Sequence, residues 1–164
     1  MKKSGKSATD VLVHALDEAY DHNAWHGTTL KGALRGVTAG QASWRPAPGR
    51  HNIRELVVHA AYWKGRVRRR LTGEKPGSFP HAGSNWFERA GVSEKTWREE
   101  RTLLDREHRA LRRAVATLAS AGLTRRLPGS RRRTPLREVA GIALHDVYHT
   151  GQIQLLKVLQ RRKS

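Results

Sequence analysis

The sequence predicts an all-α protein, a four-helix bundle that forms a single domain. Apolar residues recur at spacings of three and four over four long stretches, which is typical of amphipathic helices. No stretch alternates apolar and polar residues over a useful length, so no strand is predicted. With 164 residues the chain has the length of one domain and can bury a core without covalent cross-links. We expect the domain to span residues 1–164, with residues 1–7 as a disordered basic N-terminus.

The first long helix is predicted at residues 8–21, where apolar side chains follow the helical period. A short extra helix is expected next, capped by Thr28 and extending to Val37. Residues 38–51 are predicted as a connection, because glycines and prolines interrupt them.

The second long helix is predicted to begin at a capping pair formed by Asn52 and Glu55 and to end at Gly73. Residues 73–92 form a long connection that contains three aromatic residues, Phe79, Trp86 and Phe87. Aromatic residues in so long a connection indicate that it packs back over the domain.

The third long helix is expected to begin at the cap Ser93, with Gly122 standing just past its end. A basic loop at residues 123–133 follows. The fourth long helix begins at Pro135, which suits the first helical position, and extends to Arg161.

Composition restricts the chemistry that the chain can carry. The sequence has no cysteine, which excludes disulfides, thiolate metal ligands and a cysteine nucleophile. Any metal ion must therefore be held by His, Asp or Glu. The 32 Lys and Arg residues against 14 Asp and Glu give a net charge of +18, which attracts anions, including nucleic acid.

The N-terminus begins with positive charge, as signal peptides do, but charged and polar residues at 10, 14, 17 and 18 interrupt any apolar segment. No apolar run in the sequence has the length needed to span a bilayer. We therefore expect a soluble protein of the cytoplasm.

Histidines at a spacing of four can chelate a metal, because they lie one turn apart on one helix face. The sequence contains two such pairs, His22 with His26 and His145 with His149. The first pair lies where the helical pattern fails, so we do not expect it on one regular helix. The second pair lies in the middle of the fourth long helix, on the stripe predicted to face the core.

His59 lies in the middle of the second long helix and is also predicted to face inward. Three inward histidines on two helices match the three-ligand centre with an open position that catalytic metals use. The alternative is that each is a core histidine bonded to a carbonyl or carboxylate.

The residue after His145 is Asp146 rather than the Glu of a zincin motif, and it points about 100° away from the His145 face. Glu55 lies one turn before His59 on the same face, where it could orient the His59 ring, but we expect it to act as a helix cap.

Four stretches of the sequence resemble the DinB-like (YfiT-like) metalloenzymes. They are residues 19–27, 44–46, 51–63 and 144–153, and together the matching blocks span nearly the whole chain. The lesion-bypass polymerase that shares the name is unrelated.

This resemblance implies a bundle of up-down-down-up type that is often dimeric, with a metal site mapping to His59, His145 and His149. Members of the family bind zinc, nickel or other divalent ions. Relatives include thiol S-transferases that use bacillithiol or mycothiol, and a mycothiol-dependent isomerase. This sequence departs from the family in its higher arginine content, which leaves the substrate class open.

The first functional hypothesis is a metal-dependent transferase or hydrolase with a small-molecule, anionic substrate. Because the chain lacks cysteine, any thiolate would come from a low-molecular-weight thiol. Arg66 lies two turns beyond His59 and is a candidate contact for an anionic group; the alternative is a solvated cation. The predicted pocket residues are Trp25, His26, Trp63, Arg66 and Gln152.

Two other functions stay open at this stage. A nucleic-acid-binding protein is favoured by the net charge, the arginines at 66–70 and 131–133 and the tail at 161–163. Against it, the tryptophans are not interleaved with the basic runs, as stacking platforms would be. The other alternative is a dimeric scaffold without activity.

Overall fold

The computed structural model describes residues 6–75, 77, 79–89 and 91–161. This part of the chain forms helices and contains no strand, which confirms the predicted all-α class. There are four long helices, two short ones and one 3₁₀ turn: α1 (Ala8–Tyr20), α2 (Leu30–Ala33), α3 (Ala39–Ser43), α4 (Ile53–Thr72), α5 (Glu94–Ala116), the 3₁₀ turn (Ser120–Gly122) and α6 (Pro135–Arg161). None of these helices is long and apolar enough to cross a membrane.

Side-chain caps fix where the long helices begin. Asn52 and Glu55 form the predicted capping box of α4, in which the Glu55 N–H donates to Asn52 Oδ1 at 2.9 Å. Ser7 and Asp10 form an equivalent box at α1. The α4 helix ends at Thr72 and is capped by Gly73, as predicted; the φ of 71° at Gly73 is a left-handed conformation that glycine adopts without strain. Of the residues predicted to form a disordered N-terminus, 1–5 lie outside the described residues.

The single short helix predicted up to Val37 is wrong in both of its bounds. Thr29, not Thr28, caps α2, and its hydroxyl accepts from the Gly32 N–H at 3.1 Å. The helix ends at Ala33, and the chain then passes through Gly36 at a φ of 72°, which stops helical propagation.

The connection predicted at residues 38–51 contains a second short helix, α3. Thr38 and Gln41 form a capping box at its start, with the Gln41 N–H donating to Thr38 Oγ1 at 3.2 Å. The sequence spacing of this box is the usual one, but the helix it begins has only one turn and leaves little periodicity to detect.

The third long helix is shorter than predicted. It ends at Ala116, and Gly122 belongs to the 3₁₀ turn that follows rather than to the cap of α5. Ala119 has an extended backbone, which separates the two elements. Leu123 then returns to the core, where it is 3% exposed.

The four long helices form a closed cycle of neighbours. Both α1 and α4 pack against α5 and α6. The connection between α4 and α5 packs back on α4, as predicted, because Phe87 is buried against Val58 and Tyr62. This cycle places α4 and α6, which carry the three candidate histidines, side by side.

Two ion pairs are buried between helices. Lys64 of α4 and Asp146 of α6 form one, and both side chains are fully buried. Arg54 of α4 and Glu100 of α5 form the other, at 2.8 Å. A buried charge is tolerated only where a partner compensates it, so these pairs hold α4 against both of its neighbours.

The Lys64 ammonium is surrounded by a polar layer. Its Nζ donates to His108 Nδ1 at 3.4 Å, and the His108 ring stacks on Tyr20 at 3.7 Å. Burial, together with the nearby Lys64 charge, lowers the pKa of His108 to about 2. Burial also raises the pKa of Asp146, against the attraction of Lys64. His108 is therefore neutral at neutral pH and can accept from the ammonium.

Replacing Lys64 with alanine is expected to lower the free energy of unfolding by about 3–5 kcal/mol, because it leaves the Asp146 carboxylate buried without a counter-charge. Urea denaturation measures this loss. The double variant Lys64→Met/Asp146→Leu should recover most of the stability, since no uncompensated charge remains.

Arg109→Ala is the matched control for this prediction. Arg109 pairs with Asp105 at 2.6 Å, but its side chain is 58% exposed. An exposed pair of this kind contributes about 1 kcal/mol or less. A Lys64→Ala loss no larger than that of Arg109→Ala would contradict the expected cost of leaving Asp146 buried without a counter-charge.

Candidate metal centre

Three histidine side chains meet between α4 and α6. His145 Nε2 lies 3.1 Å from His59 Nε2 and 3.0 Å from His149 Nε2. One ligand nitrogen from each of the three lies within 4.8 Å of the others. The structure therefore brings together the three histidines that the sequence singles out, in a group that could hold a metal ion.

Helix geometry and burial explain this convergence. His145 and His149 stand one turn apart on α6, and His59 projects from the adjacent face of α4. His59 and His149 are buried, at 5% and 2% exposed, and His145 is half-buried. Imidazoles this deeply buried need partners for their polar nitrogens.

Hydrogen bonds from the outer nitrogens fix two of the three rings. His59 Nδ1 donates to the carbonyl oxygen of Asn85 at 2.8 Å. His149 Nδ1 donates to Gln152 Oε1 at 2.6 Å. With the proton on Nδ1, each ring directs the lone pair of Nε2 at the centre, which is the tautomer that a metal ligand needs. His145 Nδ1 is buried and has no hydrogen-bond partner within the described chain.

Burial keeps the three imidazoles in the neutral form. It lowers the pKa of His59 to about 4 and that of His145 to about 3, and it also lowers the pKa of His149. Mutual repulsion adds to the shift at His59 and His145, because the rings would repel one another if charged. Neutral imidazole is the form that binds divalent metals, so metal binding near pH 7 need not displace a proton from a charged ring.

The spacing of the nitrogens fits a small divalent cation. Two imidazole nitrogens at about 2.0–2.1 Å from a tetrahedral ion lie about 3.4 Å apart. The separations of 3.1 Å and 3.0 Å from His145 Nε2 are slightly shorter. A small outward movement of the His145 ring would reach the expected value. The donor set of three nitrogens and no sulfur suits a divalent transition metal.

The connection between α4 and α5 supplies contacts that the sequence does not predict individually. The Trp86 ring stacks between His59, at 3.9 Å, and His51, at 3.6 Å. Asn85 accepts from Trp63 Nε1 through its side-chain oxygen at 2.8 Å, while its carbonyl holds His59. Asn85 has a φ of 65°, a left-handed conformation that Asn tolerates better than most residues. The only sequence signal for these roles is the aromatic content of the connection.

A cavity of about 420 Å³ opens beside the centre. His59 and His145 lie in its wall, together with Trp63, Val67, Arg137, Glu138, Gly141 and Ile142. The wall is largely apolar, with one guanidinium and one carboxylate, so a small molecule could approach two of the three histidines from this side.

The other predicted pocket residues have different places. Gln152 contacts His149 rather than the cavity. The Arg66 guanidinium lies over the Tyr62 ring at 5.8 Å and lines a separate cavity among other arginines. Trp25 is 96% exposed and His26 is exposed, and neither lines the cavity beside the histidines. The structure therefore does not bring Trp25, His26 or Arg66 to the centre.

Asp146 points away from His145, as its helical position predicts, and pairs with Lys64. Glu55 forms the predicted cap and also binds Arg45 and His51. The second histidine pair of the sequence, at positions 22 and 26, lies outside the helices, as predicted.

Of the basic residues behind the nucleic-acid hypothesis, those at 131, 132 and 133 are exposed in the loop before α6, and those at 66, 68, 69 and 70 are half-buried on α4. The tail residues 162–163 lie outside the described residues. Trp97 is fully buried, and its Nε1 donates to the Val37 carbonyl at 2.7 Å, so it cannot stack on a base. Nucleic-acid binding stays a prediction.

A family model described as the DinB superfamily matches residues 22–153. The match covers well over half of the chain and contains all three histidines of the centre. Searches of the curated proteins and of the solved structures gave no match.

Gln152→Ala is expected to weaken zinc binding by about 10–100-fold, because loss of the acceptor frees the His149 ring and its tautomer. Titration against a chelator of known affinity measures the change. Gln154→Ala, on the same helix, is the control: Gln154 donates to Thr28 at 3.4 Å and lies away from the three rings. Equal affinities for the two variants would contradict an orienting role for Gln152.

Proposed function

Because this chain belongs to the DinB superfamily, we propose that it is a divalent-metal-dependent enzyme with a centre formed by His59, His145 and His149. The observation that carries the proposal is the convergence of three Nε2 atoms, two of them on rings whose outer nitrogens donate to fixed acceptors. In a satisfied histidine core, each inner nitrogen would instead accept a hydrogen bond from an N–H or O–H group.

A divalent ion at this centre would act as a Lewis acid and lower the pKa of an attached water or thiol toward neutrality. The residues of the chain would orient the histidine rings and give substrate access to the centre. Asn85 and Gln152 hold two rings in one tautomer. Trp86 covers one face of His59, and the cavity beside His59 and His145 offers substrate a route to the centre.

We propose thiol S-transfer as the first reaction class and hydrolysis as the second. Because the chain has no cysteine, the sulfur must come from a low-molecular-weight thiol. In the transfer, sulfur forms a bond to an electrophilic carbon, the leaving group departs with the bonding electrons, and the thiol proton goes to solvent. In the hydrolysis, water takes the place of the thiol. The thiol transfer suits the cytoplasm, where small thiols stay reduced.

Arg137 is the cation best placed to receive an anionic substrate group. It lines the cavity of the centre, whereas Arg66 lies in a different one. Glu138, also in the wall, is occupied by Arg70 at 2.8 Å, so it does not neutralise Arg137. Trp63, Val67 and Ile142 would contact the apolar part of such a substrate.

Protein purified without a polyhistidine tag is expected to contain about one zinc or nickel ion per chain, and His145→Ala is expected to lose it, because a two-histidine site binds far more weakly. Elemental analysis by mass spectrometry measures this. His22→Ala removes an exposed histidine outside the centre and should retain the metal.

Activity is then tested with electrophilic substrates and bacillithiol, mycothiol or water. Turnover that is lost in His145→Ala but kept in His22→Ala would support the enzyme. A wild-type protein that carries no metal and cannot be reconstituted with any divalent ion would contradict the proposal.

We also propose that the helices run up-down-down-up and that the protein is a homodimer paired through α6. Support comes from the cycle of helix neighbours and from a stripe of exposed apolar and small residues along α6. Its members recur at spacings of three and four, as in a helix-pairing seam, and belong to no core cluster: Gly141, Leu144, Tyr148, Gly151, Leu155 and Val158. Leu144 is 70% and Leu155 59% exposed, and with the other members they form a contiguous exposed apolar stripe, which is the kind of surface that marks an interaction site.

Leu144→Glu/Leu155→Glu is expected to convert the dimer to a monomer, because it places like charges in the centre of the stripe. Sedimentation velocity measures the mass. Val11→Glu, at a residue of α1 that is 56% exposed, is the control and should leave the dimer intact. A wild-type protein that sediments as a monomer at micromolar concentration would exclude pairing through this face.

A further inference from the structure

A second cavity, of about 560 Å³, lies between the end of α1, the short helix α2 and one face of α5. It shares no wall residue with the cavity beside the histidines. We refer to it as the α1–α2–α5 cavity. Its volume is in the range of small-molecule sites.

Positively charged side chains outnumber negatively charged ones in the wall of this cavity. Four cations line it, Lys31, Arg35, Arg98 and Arg101, against two carboxylates, Asp21 and Asp105. Lys31 lies 2.9 Å from Asp105 and 3.7 Å from Asp21. Asp105 also accepts from Arg109 at 2.6 Å and from the Tyr20 hydroxyl at 3.3 Å. The carboxylates are therefore already occupied.

Three guanidinium groups are left without a carboxylate. Arg35 and Arg98 are exposed, and within the described part of the chain neither forms an ion pair. Arg101 is half-buried, with its guanidinium over the Trp97 ring at 5.3 Å. Arg101 Nε is buried and has no hydrogen-bond partner among the described residues. A buried charged donor without an acceptor is costly, so this group favours an anion nearby.

The backbone places these groups together. Arg98, Arg101 and Asp105 lie on one face of α5 because their spacings are three and four. Arg35 comes from the turn that follows α2. Beneath the charged groups lie the buried side chains of Leu34, Leu104 and Tyr20, which give the cavity an apolar wall.

We propose that the α1–α2–α5 cavity binds a small organic phosphate. The planar guanidinium group donates two parallel hydrogen bonds to phosphate oxygens, and three such groups surround this cavity. The apolar wall provides contact for the organic part of the molecule. The site is independent of the histidine centre and does not rest on the function proposed for it.

Isothermal titration with inorganic pyrophosphate at physiological salt tests the charged half of the site. Arg35→Gln/Arg98→Gln is expected to weaken binding about tenfold or more, because two charge-assisted contacts are lost. Both side chains are exposed, so this variant should keep its fold.

The control must separate this site from general attraction to a chain of charge +18. Arg131→Gln/Arg132→Gln removes the same charge from the exposed loop before α6 and is expected to change pyrophosphate affinity by less than about twofold. Equal weakening in the two double variants would overturn the proposal, because binding would then follow net charge alone.

Two further measurements complete the test. In ¹H–¹⁵N spectra, the Arg101 Nε–H resonance should shift on addition of pyrophosphate, in wild type and in His145→Ala alike. A nucleoside monophosphate should bind several-fold more tightly than inorganic phosphate, since only it reaches the apolar wall. An unmoved Arg101 resonance, or equal affinity for the two phosphates, would overturn the proposed site.

Discussion

The ion pair between Lys64 and Asp146 determines where α4 stands against α6. Lys64 lies five positions after His59 on α4, and Asp146 is the neighbour of His145 on α6. Both charges are fully buried, so a slip of one helix along the other would leave each without its partner. The register that satisfies the pair also brings His59 Nε2 to 3.1 Å from His145 Nε2. The geometry of the histidine centre thus depends on a polar contact outside it.

Helix register alone does not orient the imidazole rings. His149 is held by Gln152, three residues ahead on the same helix, which is a local constraint. His59 is held by the carbonyl of Asn85, from a connection that packs on α4 through Phe87. The aromatic residues of that connection therefore have two consequences, since they cover the core and deliver the acceptor that sets the His59 tautomer. Loosening the connection would disturb the centre without touching a ligand.

The sequence predicts the parts of the structure that local pattern determines. Helical periodicity and caps locate the four long helices, and the inward stripe of α6 identifies His145 and His149. Contacts between distant segments leave no such pattern. Lys64 is a cation in the middle of a helix and resembles a surface residue until Asp146 is found opposite it. Arg66 has the spacing expected of a pocket residue, but its guanidinium lies over the ring of Tyr62, one turn earlier on the same helix. Side-chain direction across a helix interface is a tertiary property, which spacing does not encode.

The many arginines of the chain fall into two groups, those paired with carboxylates inside the fold and those without such a partner. This difference bears on function. Arg54 is buried and paired with Glu100, and Arg112 binds Asp17 through two contacts of 2.6 Å and 2.7 Å, so these residues join helices. Such arginines are neutralised within the fold and contribute little to the field outside. Within the part of the chain that the structure describes, the guanidinium groups around the α1–α2–α5 cavity lack that compensation, and one of them has a buried donor with no acceptor. Evenly solvated surface charge would not concentrate unpaired guanidinium groups around one apolar-walled cavity, whereas a site for an anion requires that arrangement.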